Sequence, residues 1–413
     1  MMTLVANILM AASNWLILVT IAKQFNPDFL GQFILALSIC SPAFLFASFK
    51  IRTLLVVDTA WKFGLKDYAT ARLLANFVVT VLILIVMFFA KIEFSMVTLL
   101  LVLAYKWCDA WSEFCQSYMR RLHKFEFSSG SLALRSITTL IGVVLITLFT
   151  ESFFLLIGMW LGVAVLFAII DSVFMLRLTK TREILPLNFR FLISKSSLAR
   201  SLVLYKEYAT VAVALAVSSL FVYLPNFLLS YQIDVASAGV FATISYFLVA
   251  GGILINSISQ ACTPQLAALL KNNEYAAFMK LVQKMCLMGI IIGVSGMIIS
   301  VFAGAFFLEV FYTAEIAKYS GTLNWVMAAA AIRYIYIFLG TSLAAVHSFH
   351  TQTKIYATGL ITMFISGYVL IEINGIAGAG QAMFAATLVE LFLFAVVTKS
   401  NIQTAFRLQK VQR

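Results

Sequence analysis

In the stretch 73–90, LLANFVVTVLILIVMFFA, 18 consecutive residues carry no charge. An α-helix rises about 1.5 Å per residue, so about 20 apolar residues are long enough to cross the hydrocarbon core of a bilayer. Of the 413 residues, 62% are hydrophobic and 11% are charged, and the mean hydropathy is +1.00. A soluble domain carries about 25% charged residues. The composition therefore excludes a water-soluble globular protein and predicts an all-α polytopic membrane protein.

Charge-poor runs of this kind recur along the whole chain, and each predicts one transmembrane helix. The twelve predicted spans are 3–22, 29–49, 73–90, 94–118, 129–150, 152–176, 208–231, 237–260, 285–307, 320–346, 355–371 and 375–398. The tenth span contains Arg333, which costs about 3 kcal/mol on the insertion scale. Its many Leu, Ile, Phe and Val residues return about 0.3–0.6 kcal/mol each and offset that cost.

Basic residues alternate strongly between the two sides of the predicted bundle. Loops after even-numbered spans and the C-terminal tail hold 23 of the 29 Lys and Arg residues, and loops after odd-numbered spans hold three. Positive charge accumulates in cytoplasmic loops, so this asymmetry predicts that both termini are cytoplasmic. It also assigns the net charge of +12 to membrane topology. No nucleic-acid partner is predicted.

The longest stretch between predicted spans, 177–207, holds seven basic residues and divides the chain into two sets of six spans. We therefore predict an N-terminal six-helix lobe at 1–176 and a basic cytoplasmic or interfacial linker at 177–207. A C-terminal six-helix lobe at 208–398 and a basic cytoplasmic tail at 399–413 complete the predicted organisation. Basic and apolar residues mix within 189–204, a pattern typical of a helix at an anionic membrane surface, although an ordinary solvated linker is the alternative.

A short internal repeat supports the two halves. At one offset of 208 residues, the starts of the second and eighth spans share three positions: Asn26 with Asp234, Gly31 with Gly239, and Phe33 with Phe241. Asn26 and Pro27 suit the N-cap and first position of a helix. Two matched halves predict two pseudo-symmetric six-helix lobes around a central cavity, an arrangement typical of transporters.

The fourth span carries an unusual set of polar side chains: Lys106, Asp109, Glu113, Gln116 and Arg120. At 100° per residue they fall within about 80° of arc, so they share one helix face. Lys106 and Asp109 are three residues apart and suit an ion pair that joins helices, which is the structural alternative to a functional site. Asp109 and Glu113 repel each other when both are ionised. We therefore expect a shared proton or a basic neighbour from another helix.

Other spans contain isolated polar residues that also need a hydrated or paired environment. Arg333 lies midway along the tenth span, whereas Arg135 lies nearer the end of the fifth, where snorkelling to the headgroups is an equal alternative. Asp171 and Glu390 lie toward the ends of their spans and suit counter-ions and functional groups equally. Asn256 belongs to a polar stripe of the eighth span, and such stripes serve helix packing as well as cavity lining. The first span contains a shorter polar stripe, and the presence of a stripe in each half of the chain favours cavity lining over helix packing.

The predicted outward loops are short and carry no catalytic constellation, and the sequence contains no G-x-x-x-x-G-K-[ST] run for nucleotide binding. We therefore predict a protein that is not an enzyme and that has no cofactor and no metal site.

The residues around the second span resemble a known family. The segment Phe25–Phe33 with Ala36 and Pro42, followed by Arg52, Asp58, Gly64, Tyr68 and Arg72, is similar to the start of bacterial polysaccharide flippases of the O-antigen flippase (Wzx-like) type. This resemblance implies membership of the multidrug/oligosaccharidyl-lipid/polysaccharide exporter superfamily. It implies transfer of undecaprenyl-pyrophosphate-linked oligosaccharide across the bacterial cytoplasmic (inner) membrane by alternating access, for surface polysaccharide biosynthesis.

The resemblance also implies a central cavity that holds the anionic pyrophosphate and the sugars. By position, the basic candidates are Arg52, Lys106, Arg135 and Arg333. Asp109, Glu113 and Asn256 complete the predicted substrate-binding set. The implied partners are the lipid-linked oligosaccharide, membrane lipids and, as a further candidate, the polysaccharide polymerase machinery.

The sequence leaves two alternatives to this function. A cation-coupled small-molecule exporter of the same superfamily predicts an acidic coupling residue in the first span, and that span has none. A membrane enzyme that acts on lipid-linked sugars requires outer loops able to hold a sugar acceptor, and the predicted outer loops are short.

Overall fold

The structure is a computed structural model that describes residues 2–49, 63–89, 94–179, 195–346 and 348–411. Within these ranges the secondary structure is helical, with no strand. The first six long helices are α1 (Met2–Gln24), α2 (Pro27–Ala47), α3 (Leu65–Phe89), α4 (Met96–Arg121), α5 (Phe125–Phe149) and α6 (Phe153–Thr179). The next six are α7 (Lys195–Gln232), α8 (Val235–Lys271), α9 (Tyr275–Phe311), α10 (Ser320–Ala345), α11 (Phe349–Asn374) and α12 (Ile376–Val411). A single helical turn, Ala314–Ala317, precedes α10.

Each of the twelve predicted spans falls on one of these helices, which confirms the all-α membrane fold. In the described ranges, ten helices are long and apolar enough to cross a membrane by length and composition. The other two long helices are α4 and α7. Lys106, Asp109 and Glu113 lie within α4, and α7 begins in the basic segment that follows the first half of the chain.

Several helices extend well beyond the predicted spans. Helices α7, α8, α9 and α12 contain 36 to 38 residues, or about 55 Å at 1.5 Å per residue, against a hydrocarbon core of about 30 Å. The predicted loop with Lys271, Lys280 and Lys284 is therefore wrong in extent, because only the turn Asn272–Glu274 separates α8 from α9. Likewise, Arg72 lies inside α3 and not in a loop. A charged residue lowers the local hydropathy and so marks the end of a predicted span. It does not interrupt the backbone hydrogen bonds, so the helix continues past it.

The chain divides into two compact units, Met1–Ser219 and Leu220–Arg413. In the first unit α4 packs against α2, α3, α5 and α6, and in the second unit α10 packs against α8, α9, α11 and α12. The fourth long helix of each half thus packs against four others. Lys106, Asp109 and Glu113 lie on α4, and Arg333 lies on α10. Residues 180–194 of the predicted basic linker lie outside the described residues, whereas 195–207 form the start of α7. The predicted domain boundaries stay a prediction.

Two glycines bring α9 close to α10. A Cβ at Gly293 would lie 2.5 Å from Cα of Ala331, and a Cβ at Gly289 would lie 2.8 Å from the carbonyl oxygen of Tyr334. Small residues four positions apart allow membrane helices to approach backbone to backbone. This contact fixes α10, and therefore Arg333, against its neighbouring helix.

Candidate functional site

A cavity of about 170 Å³ lies beside α4 in the first unit. Its lining comprises Asn7 and Met10 of α1, Asp109, Glu113, Gln116, Ser117 and Arg120 of α4, and Leu132 and Arg135 of α5. A single water needs about 10–15 Å³ of such space together with polar partners, so a cavity of this volume and polarity is hydrated. The shared face predicted for α4 is confirmed for its four lining charged and amide residues. Lys106 is outside the lining.

Arg135 of α5 pairs with Asp109 across this cavity. Its Nη1 lies 2.8 Å from Oδ1 of Asp109, and its side chain is 3% exposed against 37% for the carboxylate. The guanidinium also lies 5.3 Å from the ring centroid of Tyr105, and Trp160 stacks on the same ring. A cation between a carboxylate and an aromatic face is stabilised from both sides. Arg135 is therefore buried and does not snorkel, and its Nη2 has no hydrogen-bond partner in the described part of the chain.

Arg72 of α3 neutralises the second carboxylate of the α4 face. Its Nη2 lies 2.8 Å from Oε2 of Glu113, and its Nε donates to the carbonyl of Ala110 at 3.3 Å. The expected basic neighbour from another helix is thus confirmed twice, by Arg135 for Asp109 and by Arg72 for Glu113. The predicted Lys106–Asp109 pair does not form in the described residues.

Arg72 follows the second predicted span in a predicted loop, and it is not among the predicted site residues. The sequence signal that could have placed Arg72 in a helix is Asp67, three residues after Gly64. In the structure, Oδ2 of Asp67 accepts a hydrogen bond from the backbone N–H of Gly64 at 3.0 Å. A carboxylate at this position is typical of a helix start. It places Arg72 within the first turns of α3, where the side chain is 4% exposed.

Asp171 of α6 is fully buried behind the cavity. Its carboxylate accepts hydrogen bonds from the hydroxyls of Ser112 and Ser131 and from Nε2 of Gln116, the last at 3.0 Å. Three donors from α4 and α5 satisfy this acid without an ion pair. Asp171 therefore links three helices of the first unit.

The remaining predicted site residues lie apart from this cavity. Lys106 is half-buried and has no ion-pair partner within the described ranges. Arg333 lies in the second unit, with its guanidinium 4.5 Å from the ring centroid of Phe221 and its Nη1 donating to Oη of Tyr336 at 3.0 Å. Asn256 is exposed on α8 and donates to the carbonyl of Gly252 on its own helix at 2.8 Å. Arg52 lies outside the described residues.

The structure thus brings together Asp109, Glu113 and Arg135 from the predicted set and adds Asn7, Gln116 and Arg72 to them. Ionisable groups that are buried in paired form around a hydrated space within a helical membrane bundle are typical of transporters. The class defined by the fold and this site is therefore a multi-pass helical membrane transporter.

Comparison with known proteins narrows this class. The chain is 28% identical over 398 residues to the capsular polysaccharide biosynthesis protein CapF of Staphylococcus aureus, covering 94% of this chain and 96% of that protein. Its fold is similar to the lipid II flippase MurJ in an inward closed conformation, with a TM-score of 0.75, 14% identity and coverage of 98% and 90%. A Vibrio cholerae MATE transporter, VcmN, gives a TM-score of 0.65 at 14% identity, with coverage of 98% and 95%. No protein-family model matches the chain.

These similarities confirm the resemblance to polysaccharide flippases. The protein has the fold that MurJ and the MATE transporters share.

Proposed function

We propose that this protein is a flippase that moves an undecaprenyl-pyrophosphate-linked oligosaccharide from the cytoplasmic to the periplasmic leaflet by alternating access. In this proposal it serves surface polysaccharide biosynthesis, is not an enzyme, and lies in the bacterial cytoplasmic membrane with both termini in the cytoplasm. The main support is the hydrated cavity of the first unit, which places carboxylates and amides inside an apolar helical bundle. The sequence similarity to a capsular polysaccharide biosynthesis protein agrees with this substrate class.

The chemistry of the cavity suits uncharged sugars. Asp109 and Glu113 are each neutralised by an arginine, so the local field is small while their oxygen atoms still accept hydrogen bonds. Asn7 and Gln116 add amide groups that both donate and accept. Sugar hydroxyls need such a mixture of donors and acceptors.

The pyrophosphate requires cations that are not already neutralised. In the described residues, Lys106 and Arg333 have no carboxylate within ion-pair distance. One such cation at 4 Å from a phosphate charge gains about 4 kcal/mol at an effective dielectric constant of about 20, before desolvation is subtracted. We therefore propose Lys106 and Arg333 as phosphate-binding residues. Arg52 and Asn256 stay predicted site residues.

The cation-coupled exporter is a weaker candidate. It predicts an acidic residue in the first span, and α1 contains none between Met2 and Gln24. No observation in the described residues favours it over the flippase.

Surface polymer in a deletion strain tests the proposal. We expect Lys106→Ala and Arg333→Ala to lose most surface polymer and to accumulate complete lipid-linked repeat units on the inner leaflet, whereas Lys318→Ala, an exposed lysine outside the site, restores export. Wild-type polymer in both site variants at normal protein levels would contradict the role of these side chains. Unpolymerised units on the outer leaflet of the deletion strain would instead indicate a polymerase.

A further inference from the structure

Each half of the chain buries one carboxylate on its sixth helix, but only one of the two is fully hydrogen-bonded. Asp171 on α6 has three donors, whereas Oε2 of Glu390 on α12 has no hydrogen-bond partner in the described residues. Glu390 is 1% exposed. An ionised carboxylate that is buried with an unsatisfied oxygen is costly. A proton on that oxygen removes the charge, which is the larger part of the cost.

The groups that face Glu390 come from the two helices packed most closely on α12. In the described residues these are Arg333 and Tyr336 of α10 and Tyr356 of α11, while α8 contributes no charged group. The Tyr336 hydroxyl accepts a hydrogen bond from Nη1 of Arg333 at 3.0 Å and also interacts with the Glu390 carboxyl. This hydroxyl therefore connects the cation to the acid.

The surrounding side chains hold this cluster in place. The rings of Tyr336 and Phe394 stack at 5.5 Å with an interplanar angle of 8°, and the ring of Tyr356 meets Phe394 edge-on at 5.5 Å. The Glu390 carboxyl packs directly on Gly359 of α11, where any Cβ would collide with it. The absence of a side chain at Gly359 leaves the space that the carboxyl occupies.

We propose that Glu390 is a proton-binding site whose protonation frees Arg333 to bind the phosphate of the lipid carrier. Ionised Glu390 attracts Arg333 through Tyr336 and competes with a phosphate for the same cation. A proton taken from water onto Oε2 ends that competition, so binding of an anionic ligand is accompanied by proton uptake. The phosphate part of this inference rests on the proposed function, whereas the proton site does not.

Infrared spectroscopy tests the proton site directly. Purified protein is titrated with acid while the carboxylic-acid C=O stretch is followed in the wild type, Glu390→Gln and Glu372→Gln. Glu372 is an exposed carboxylate of the same unit and serves as the matched control. We expect one titrating band that is present in the wild type and in Glu372→Gln but missing from Glu390→Gln. A Glu390→Gln spectrum that titrates like the wild type would overturn the proposal.

Ligand binding tests the coupling, with undecaprenyl pyrophosphate in detergent micelles as the probe. Because the protonated form binds it better, the wild type should bind it more weakly as the pH rises, by up to about tenfold per pH unit above the midpoint. Glu390→Gln, which mimics the protonated acid, should keep only the probe's own pH dependence, and Glu390→Asp should retain a pH-dependent affinity. A wild-type slope in Glu390→Gln would overturn the coupling.

The two proposals fail in different ways. A wild-type protein that does not bind the probe at any pH would contradict the phosphate site and the proposed function. The infrared band would still show whether Glu390 takes up a proton. Normal probe binding without a Glu390-dependent band would retain the function and reject the proton site.

Discussion

Arg135 illustrates, at the scale of one residue, how a carboxylate is accommodated within a membrane bundle. Its charge pairs with Asp109 at 2.8 Å, and its planar cation also lies over the Tyr105 ring. Removing one partner of a buried pair leaves the other charge uncompensated, which commonly costs more than the pair contributes. Here Asp109 keeps 37% of its side chain exposed to the cavity, so water moderates that cost.

A double-mutant cycle measures this pair. We expect Arg135→Gln and Asp109→Asn each to destabilise the protein, and the double variant to lose less than the sum, with a coupling energy of about 0.5–3 kcal/mol. Unfolding in mixed micelles provides the free energies. The matched control is the pair of Arg135 with Glu113, for which no ion pair forms in the described residues. Additive losses for Arg135 and Asp109 would show that the 2.8 Å contact contributes no net stability.

The sequence predicted the α4 residues of the site but only one of their partners. Asp109 and Glu113 share a face because helical periodicity fixes their positions within one element. Arg72 and Arg135 reach that face from α3 and α5, and no local pattern states which helices become neighbours. The two carboxylates therefore predicted a shared proton or a basic partner, and helix packing decided that Arg72 and Arg135 are those partners.

At the scale of elements, the starts of α2 and α8 agree with the predicted repeat. Asn26 caps α2 by accepting a hydrogen bond from the backbone N–H of Asp28 at 3.4 Å, with Pro27 at the first helical position. Asp234 caps α8 by accepting from the backbone N–H of Ser237 at 2.6 Å. These signals are local in sequence, because a cap uses only residues within one turn, and they were therefore predictable.

Packing between α9 and α10 gives a prediction at the same scale. Gly293→Ala should cost about 1–3 kcal/mol, because its new methyl group would meet the α10 backbone at Ala331. Gly296→Ala on the same helix would meet only the flexible end of Met327, so it serves as the control and should be tolerated. Thermal unfolding of the purified variants measures both. Equal melting temperatures would show that the two helices separate easily enough to absorb a methyl group.

At the scale of the whole molecule, the charge asymmetry predicts an orientation that impermeant thiol labelling can measure. In a cysteine-free background, Glu151→Cys lies in the turn after the fifth long helix and Glu274→Cys in the turn after the eighth, and both positions are exposed. The positive-inside rule places the first outside the cell and the second inside. We expect Glu151→Cys to label in intact cells and Glu274→Cys to label only after permeabilisation. The reverse pattern would contradict the predicted cytoplasmic termini.

Much about this protein followed from its amino-acid sequence alone: a helical membrane protein, with twelve long helices in the described ranges and polar groups buried among them. Hydropathy, helical periodicity and helix caps each depend on residues within one helix. The helices and their starts could therefore be predicted from the sequence. The three-dimensional packing was needed to show that Arg135 and Arg72 neutralise the α4 carboxylates and that Asp171 is fully hydrogen-bonded. It was also needed to show that Oε2 of Glu390 has no hydrogen-bond partner in the described residues. These contacts depend on which helix faces pack together. The free energy of that packing comes from residues far apart in sequence, so no local pattern predicts it.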